Sequence, residues 1–250
     1  MTTKSCVATS LLYAKILPWT LPLALYGLLL ARPINLVTAD LGRHIKNGEI
    51  ILEKRQETRD QRQVLNANFY SYTYPDYPVE NHHWLSGVVF YAVWKVFGFV
   101  GLHLFFIAVS LTALLIFLAI GRARAGPGLA TLLTIPIIPL LLERDEIRPE
   151  IFSYLFSGIF FWLLLRHRDG ITSWRRLLIL PVVQILWVNL HIYFFLGPVI
   201  IGVFLLERIV LRDKSSTKRL LVVLGLTSLA SLINPFGLNG TLAPLSIFKN

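Results

Sequence analysis

The chain has 250 residues, 55% of them hydrophobic, with a mean hydropathy of +0.63 and a formal net charge of +10. Long apolar runs separated by short charged connectors exclude a soluble globular domain and read as an all-α membrane protein in contact with the lipid bilayer. Much of the Lys and Arg lies in those connectors, where the orientation preference of membrane proteins accounts for it and nucleic acid is not needed as a partner; the single cysteine, Cys6, excludes an intramolecular disulfide and any Cys-rich metal site.

The first apolar run, Ile16 to Ala31, follows Lys4 and Lys15 and has no A-x-A cleavage pattern before Arg32, so it is expected to be a retained signal-anchor. A polar stretch of roughly fifty residues then runs from Arg32 to His83, a length at which loops are more often functional or independently folded. It contains TADLGRHIKNGEI from Thr38 and NFYSYTYPDYPVENHHWL from Asn68. Trp84 to Phe97 is only about 21 Å long as a helix, ends near Lys95 and is bounded by GFVG, so it is expected to lie along the interface.

Further spans are expected over Val100 to Ile120, Pro127 to Leu142, Ile151 to Leu165 and Leu220 to Pro235. The run from Leu177 to Leu206 would be about 45 Å as one helix, too long for a single crossing, and reads as two short helices meeting at VNLHIY. Pro136, Pro139, Pro181 and Pro198 are expected to kink or break their helices. The whole is expected to be one module, residues 1–250, of about seven transmembrane helices. Its outer loop takes 32–99, its remaining helices 100–235 and a short tail 236–250. A chain that stops so soon after the seventh helix is either small for its class or a piece of a longer protein.

Charge fixes the expected orientation. With a cytosolic N-terminus the inner connectors are GRARAG, RHRDGITSWRR and ERIVLRDKSSTKR, with two, four and five Lys or Arg, while the short outer connector ERDEIRPE has two basic and four acidic residues. Asp40, Arg43, His44, the Asn81 to His83 cluster, Glu143 to Glu150, Asn189, His191 and INPFG then share one membrane face.

Each of these groups has a functional and a bland reading. Asp40 is either a proton acceptor or the N-cap of a short helix starting at LGRHIKNGEII. Arg43 and His44 lie one turn on, and Arg43 either clamps a phosphate or pairs with Asp40. His82 and His83 bond to substrate, bond within the loop, or fill the interface; adjacent histidines rarely ligate one metal, because successive side chains diverge. Trp84 and the tyrosines Tyr70, Tyr72, Tyr74 and Tyr77 suit an aromatic belt and equally sugar stacking. If ERDEIRPE is helical, Arg144 and Arg148 share a face suited to a phosphate, unless the four acids occupy them. Asn189 and His191 are either useful or cap a turn; His103 and His167 are expected to be structural. Asn239-Gly240-Thr241 is a formal glycosylation sequon and also a common turn sequence.

Asp40 in TADLGRHIKNGEIIL, the FYSYTYPDYP segment leading into NHHWLSGVVFYAVWKVFGFVGLHLF, and the segments RPEIFSYLF, WVNLHIYFFLG and INPFG together resemble the GT-C superfamily of polyprenyl-phosphate-dependent glycosyltransferases. That group includes protein O-mannosyltransferases and lipid A aminoarabinose transferases. The resemblance covers most of the chain and implies a bundle in the bacterial inner membrane with its active site on the outer face. It implies inverting transfer of a sugar from a polyprenyl-phosphate carrier to an unidentified acceptor, with Asp40 as the matching base. Arg43, Arg144 and Arg148 would hold phosphate, and His82, His83 and His191 would contact substrate. A divalent metal is compatible with this set and is not required by it. The alternative is a non-catalytic subunit that binds the lipid carrier, or a degenerate paralogue. A transporter ranks third, since neither repeats nor charged residues within the spans are evident.

Overall fold

The computed structural model describes residues 2–34, 40–53, 65, 73, 80–143 and 146–247; Tyr70, Tyr72, Tyr74, Tyr77 and Arg144 lie outside these residues. All regular structure among them is helical. Helix α1, Thr2–Leu30, is longer than its apolar run and continues through Pro18 and Pro22. Pro22 has no N–H to give the carbonyl of Pro18 one turn back; the Thr131 hydroxyl lies 2.9 Å from that carbonyl and 2.9 Å from the Pro127 carbonyl, its one proton shared between them.

Helix α2, Leu41–Glu53, lies within the long polar stretch and is amphipathic. Leu41, His44, Ile45, Gly48 and Ile51 recur at three- and four-residue intervals and are buried, while Gly42, Arg43, Lys46 and Leu52 are exposed. Its apolar stripe packs on helix α3, Trp84–Thr134. That long element is three rods, 84–97, 99–125 and 127–134, divided at Gly98 (φ 65°, ψ −167°) and Gly126 (φ 78°, ψ 168°). The first break falls inside the GFVG boundary expected for the Trp84 to Phe97 helix.

A 3-10 turn, Ile135–Ile137, and helix α4, Ile138–Leu142, follow, with Pro136 and Pro139 each in a first turn, where a missing N–H costs little. Helix α5 spans Glu150–Arg168, and α6 spans Ile179–Leu190 after a 3-10 turn over Trp174–Leu178. His191, in extended conformation (φ −155°, ψ 143°), ends α6. A 3-10 turn, Ile192–Phe195, then leads into α7, Leu196–Val210, so the Leu177 to Leu206 run is two helices meeting at VNLHIY.

Helix α8, Lys214–Ala230, is capped by Asp213, whose carboxylate accepts from the Ser216 N–H at 3.1 Å. Helix α9, Gly237–Ile247, forms where a short tail, 236–250, is expected from the sequence. The Asn239-Gly240 pair is therefore helical and not a turn, with Gly240 set closely against Asn234 and the Cβ of Phe236.

Among the described residues two stretches are long and apolar enough to cross a bilayer, Trp84–Leu142 and Ile192–Val210, and Ile16–Leu30 is a shorter apolar helix. Only 28% of the most apolar window in each of the two is buried inside the protein, and apolar residues of these stretches such as Leu104 and Val203 are exposed.

The core is an aromatic column. Phe90 stacks on Phe152 at 5.9 Å, Phe156 meets Trp187 at 5.7 Å, and Phe160 meets Trp187 edge-on at 5.5 Å. At one end the three basic connectors come together: Arg124 bonds Asp169 at 2.5 Å, Arg168 bonds Glu207 at 3.4 Å, and Arg208 lies 3.8 Å from Asp213. The segments assigned by charge to one face are thus neighbours in space.

Candidate functional site

The break between α6 and α7 is held by side chains from four parts of the chain. Asn189 accepts from the Trp84 indole at 2.9 Å and donates to the carbonyls of Ile185 at 2.7 Å and Ile233 at 2.9 Å. Ser86 donates to the carbonyl of Leu190. The Trp187 indole donates to the Ser153 hydroxyl at 2.8 Å, and that hydroxyl is 2.7 Å from His191 Nδ1. Since an indole N–H can only donate, Ser153 accepts from Trp187 and is free to give its own proton to His191. That arrangement leaves the N–H of His191 on Nε2.

Three imidazoles converge here. His83 stacks on His191 with ring centres 5.1 Å apart, and His44 meets His83 edge-on at 6.0 Å and Phe90 at 6.1 Å. His44 arrives on the buried stripe of α2, His83 precedes α3, and His191 sits at the break. Burial over the aromatic column pushes His44 down to about 3, with His83, Arg43 and Arg148 adding repulsion. His83 falls to about 4 for the same first reason, with His82 and Arg43 opposing its charge and the Leu190 carbonyl and Asp40 favouring it. All three rings are neutral near pH 7; His191 is also lowered, again first by burial. No group of three His, Cys, Asp or Glu among the described residues is arranged to hold a metal ion.

Asp40 and Arg43 stand at the rim. Asp40 immediately precedes α2, and its carboxylate pairs with Arg43 at 3.2 Å, both side chains being about half exposed. Asp40 acts electrostatically on both His83 and Arg148. Arg148 lies within a stretch, 146–149, that is not helical, so it is not on a helical face; Arg144, its expected companion, lies outside the described residues. Its guanidinium is taken by Glu146, with Nε at 2.7 Å from that carboxylate. Arg148 also borders a narrow cleft with Glu150, Tyr26, Ser110 and Tyr154.

The structure therefore brings Asp40, Arg43, His83, Arg148 and His191 into one neighbourhood and leaves His82 outside it. His82 turns the other way, 5.9 Å from the Phe236 ring and 3.9 Å from the Glu80 carboxylate. His103 and His167 bond the carbonyls of Leu30 and Thr172, each at 2.9 Å, and serve as helix-end braces.

Three cavities adjoin these elements. One of about 470 Å³ is apolar, walled by α1, α3, α4 and α5. It shares Tyr26, Ser110 and Tyr154 with the narrow cleft at Arg148. The third, of about 510 Å³ and mostly polar, lies between Glu80 and the turn before α9. Asp40 is not among the residues lining any of the three. Comparison with family models, curated proteins and solved structures finds no match to the chain.

Proposed function

We propose that the chain is an integral membrane glycosyltransferase of the GT-C kind, taking a sugar from a polyprenyl-phosphate carrier at the non-cytosolic face of a bacterial inner membrane. It would have about seven spans and a cytosolic N-terminus. The observation that carries this reading is the convergence of Asp40, Arg43, His83 and Arg148 on the three-histidine junction, from segments far apart in sequence.

In this reading the acceptor hydroxyl gives its proton to the Asp40 carboxylate while its oxygen attacks the anomeric carbon. The bond from that carbon to the carrier phosphate breaks, and the phosphate leaves with its charge beside Arg43 and Arg148. Neutral His44, His83 and His191 are poor bases at these depressed pKa values; His191 would hold a substrate oxygen through its Nε2–H, while His83, whose N–H bonds the Leu190 carbonyl, would accept from a substrate hydroxyl at Nδ1. The test is transfer from a labelled polyprenyl-phosphate sugar by the purified full chain. Asp40→Asn is expected to lower turnover about a hundredfold to ten-thousandfold with donor binding retained.

One observation favours a second reading. Asp40 is already paired with Arg43, as suits a subunit that holds the lipid carrier without turning it over. Donor binding with no product from the unaltered chain, under conditions where the acceptor is varied, would establish that reading and remove the first.

A further inference from the structure

The apolar cavity of about 470 Å³ has no part in the scheme above. Its wall on α3 is one stripe of the middle rod: Ser110, Leu114, Leu118, Gly121 and Ala125 recur at intervals of three or four residues and all line it. The chain turns back at the Gly126 corner, and Ala130, Leu133 and Ile137 return along the facing wall. From Ser110 to Ala125 the lining extends about 22 Å along the helix, so the space is a lengthwise trough. Tyr26 and Tyr154 stand at the Ser110 end, where the trough meets the narrow cleft at Arg148.

Arg122 marks the other end. It comes four residues after Leu118 and three before Ala125, on the same stripe and about 18 Å of helix from Ser110. Its guanidinium lies 3.9 Å from the centre of the Trp19 ring, and Trp19 precedes Tyr26 by two turns of α1. Nη1 of Arg122 is buried and has no hydrogen-bond partner among the described residues. Its neighbours on the basic connectors differ, since Arg124 bonds Asp169 and Arg168 bonds Glu207. Arg122 has no such carboxylate among the described residues.

The hydroxyls in the wall are spent on the protein itself: Thr134 donates to the Ala130 carbonyl at 2.7 Å, and Tyr26 bonds Ser110. A hydrophilic ligand would lose its water there and find little to replace it, whereas a hydrocarbon tail loses nothing. A guanidinium stacked on an indole at one end of such a trough suits an anionic head, because the fork of donors matches phosphate and Trp favours the bilayer interface. We infer that the trough holds one fatty-acyl chain of an anionic glycerophospholipid, whose phosphate is bonded by Arg122. The polyprenyl carrier would be a different lipid in a different place, its phosphate with Arg43 and Arg148 beyond the Tyr26 end. The proposal therefore needs neither the transfer chemistry nor the carrier, and failure of the glycosyltransferase reading leaves it standing.

The test is native mass spectrometry of the full chain released from detergent micelles, with phosphatidylglycerol, phosphatidylcholine of the same acyl chains, and a polyprenyl phosphate as probes. Phosphatidylglycerol is expected to bind about tenfold more tightly than phosphatidylcholine, and Arg122→Gln to abolish that difference while Arg122→Lys keeps most of it. Arg124→Gln removes an equal charge from the same connector and is expected to leave phosphatidylglycerol binding unchanged. Ala125→Phe, which fills the trough and keeps Arg122, is expected to weaken both phospholipids about tenfold or more. Three results would overturn the proposal: equal binding of the two phospholipids by the unaltered chain, equal losses in Arg122→Gln and Arg124→Gln, or full affinity in Ala125→Phe. Displacement of phosphatidylglycerol by the polyprenyl phosphate would overturn it as well, by making the trough a carrier site.

Discussion

His83 Nδ1 is buried and has no hydrogen-bond partner among the described residues, a condition that costs about 1–3 kcal/mol wherever it is tolerated. His83→Phe removes both that atom and the bond to the Leu190 carbonyl, which keeps Ser86 as a donor, so it is expected to change the thermal midpoint little while lowering transfer or donor binding. A large fall in the midpoint would make His83 structural. Acid should act on the same junction. Unfolded histidines take up protons below about pH 6.5, whereas folded His44 and His83 resist until about 3 and about 4. Their contribution to stability is thus whole above pH 6.5 and is lost as pH falls toward 4, at up to about 1.4 kcal/mol per pH unit for each ring. Thermal midpoints measured from pH 7.5 to 4.5 should show this slope, and it should be shallower in His44→Gln. Asp40→Asn, by contrast, is expected to change stability by well under about 1 kcal/mol, because Asn caps a helix nearly as well as Asp. His83, His191, Arg43 and Asp40 were legible in the sequence as polar groups bordering apolar runs. His44 was the harder case: its signal is its place three residues after Leu41 and four before Gly48, on the buried stripe of an amphipathic helix. The pairing of Arg148 with Glu146 depends on a non-helical backbone at 146–149 that spacing does not reveal.

At the level of elements, the position of His44 depends on how closely α2 approaches the first rod of α3. Gly48 and Gly87 make that approach: a Cβ on Gly48 would run into the carbonyl of Gly87, and one on Gly87 would come within 2.8 Å of the His44 carbonyl. An alanine in a helix interior ordinarily stabilises relative to glycine. Gly48→Ala is expected to reverse the sign, costing about 1–3 kcal/mol by overpacking, and to expose His44. Hydrogen exchange in α2 would register the loosening, and a midpoint that rises would refute the close contact. The two-helix division at VNLHIY and the boundary at GFVG could be read beforehand, since length and Gly or Asn placement mark them. Helix α9 could not, because the Asn-Gly pair that usually signals a turn is held helical by contacts with Asn234 and Phe236, formed only in the folded loop.

For the whole molecule, the basic connectors meet through Arg124–Asp169 and Arg168–Glu207, while the histidine junction and Arg148 gather elsewhere. If those two clusters mark opposite membrane faces, a cysteine at Asn239 in a Cys6→Ser background should react with an impermeant maleimide in intact cells, and one at Ser215 should not. The reverse labelling would invert the proposed orientation. Helical class and the grouping of like connectors followed from hydropathy and charge count alone. The number of crossings did not, since rods broken at Gly98 and Gly126 leave length an uncertain guide to how often the chain traverses a bilayer.

Those two breaks carry a consequence of their own. At Gly98 and Gly126 no described residue beyond the adjoining chain comes within 4 Å of where a Cβ would sit, so a methyl group would find room at both. What an L-residue would not find is a comfortable backbone: φ 65° with ψ −167°, and φ 78° with ψ 168°, are mirror images of ordinary extended conformations. The corners of the long element therefore select for handedness and are indifferent to size. Alanine at position 98 should cost about 1–3 kcal/mol in its natural configuration, and D-alanine introduced by chemical ligation should restore the corner, because inversion at one carbon turns a forbidden bend into an ordinary one.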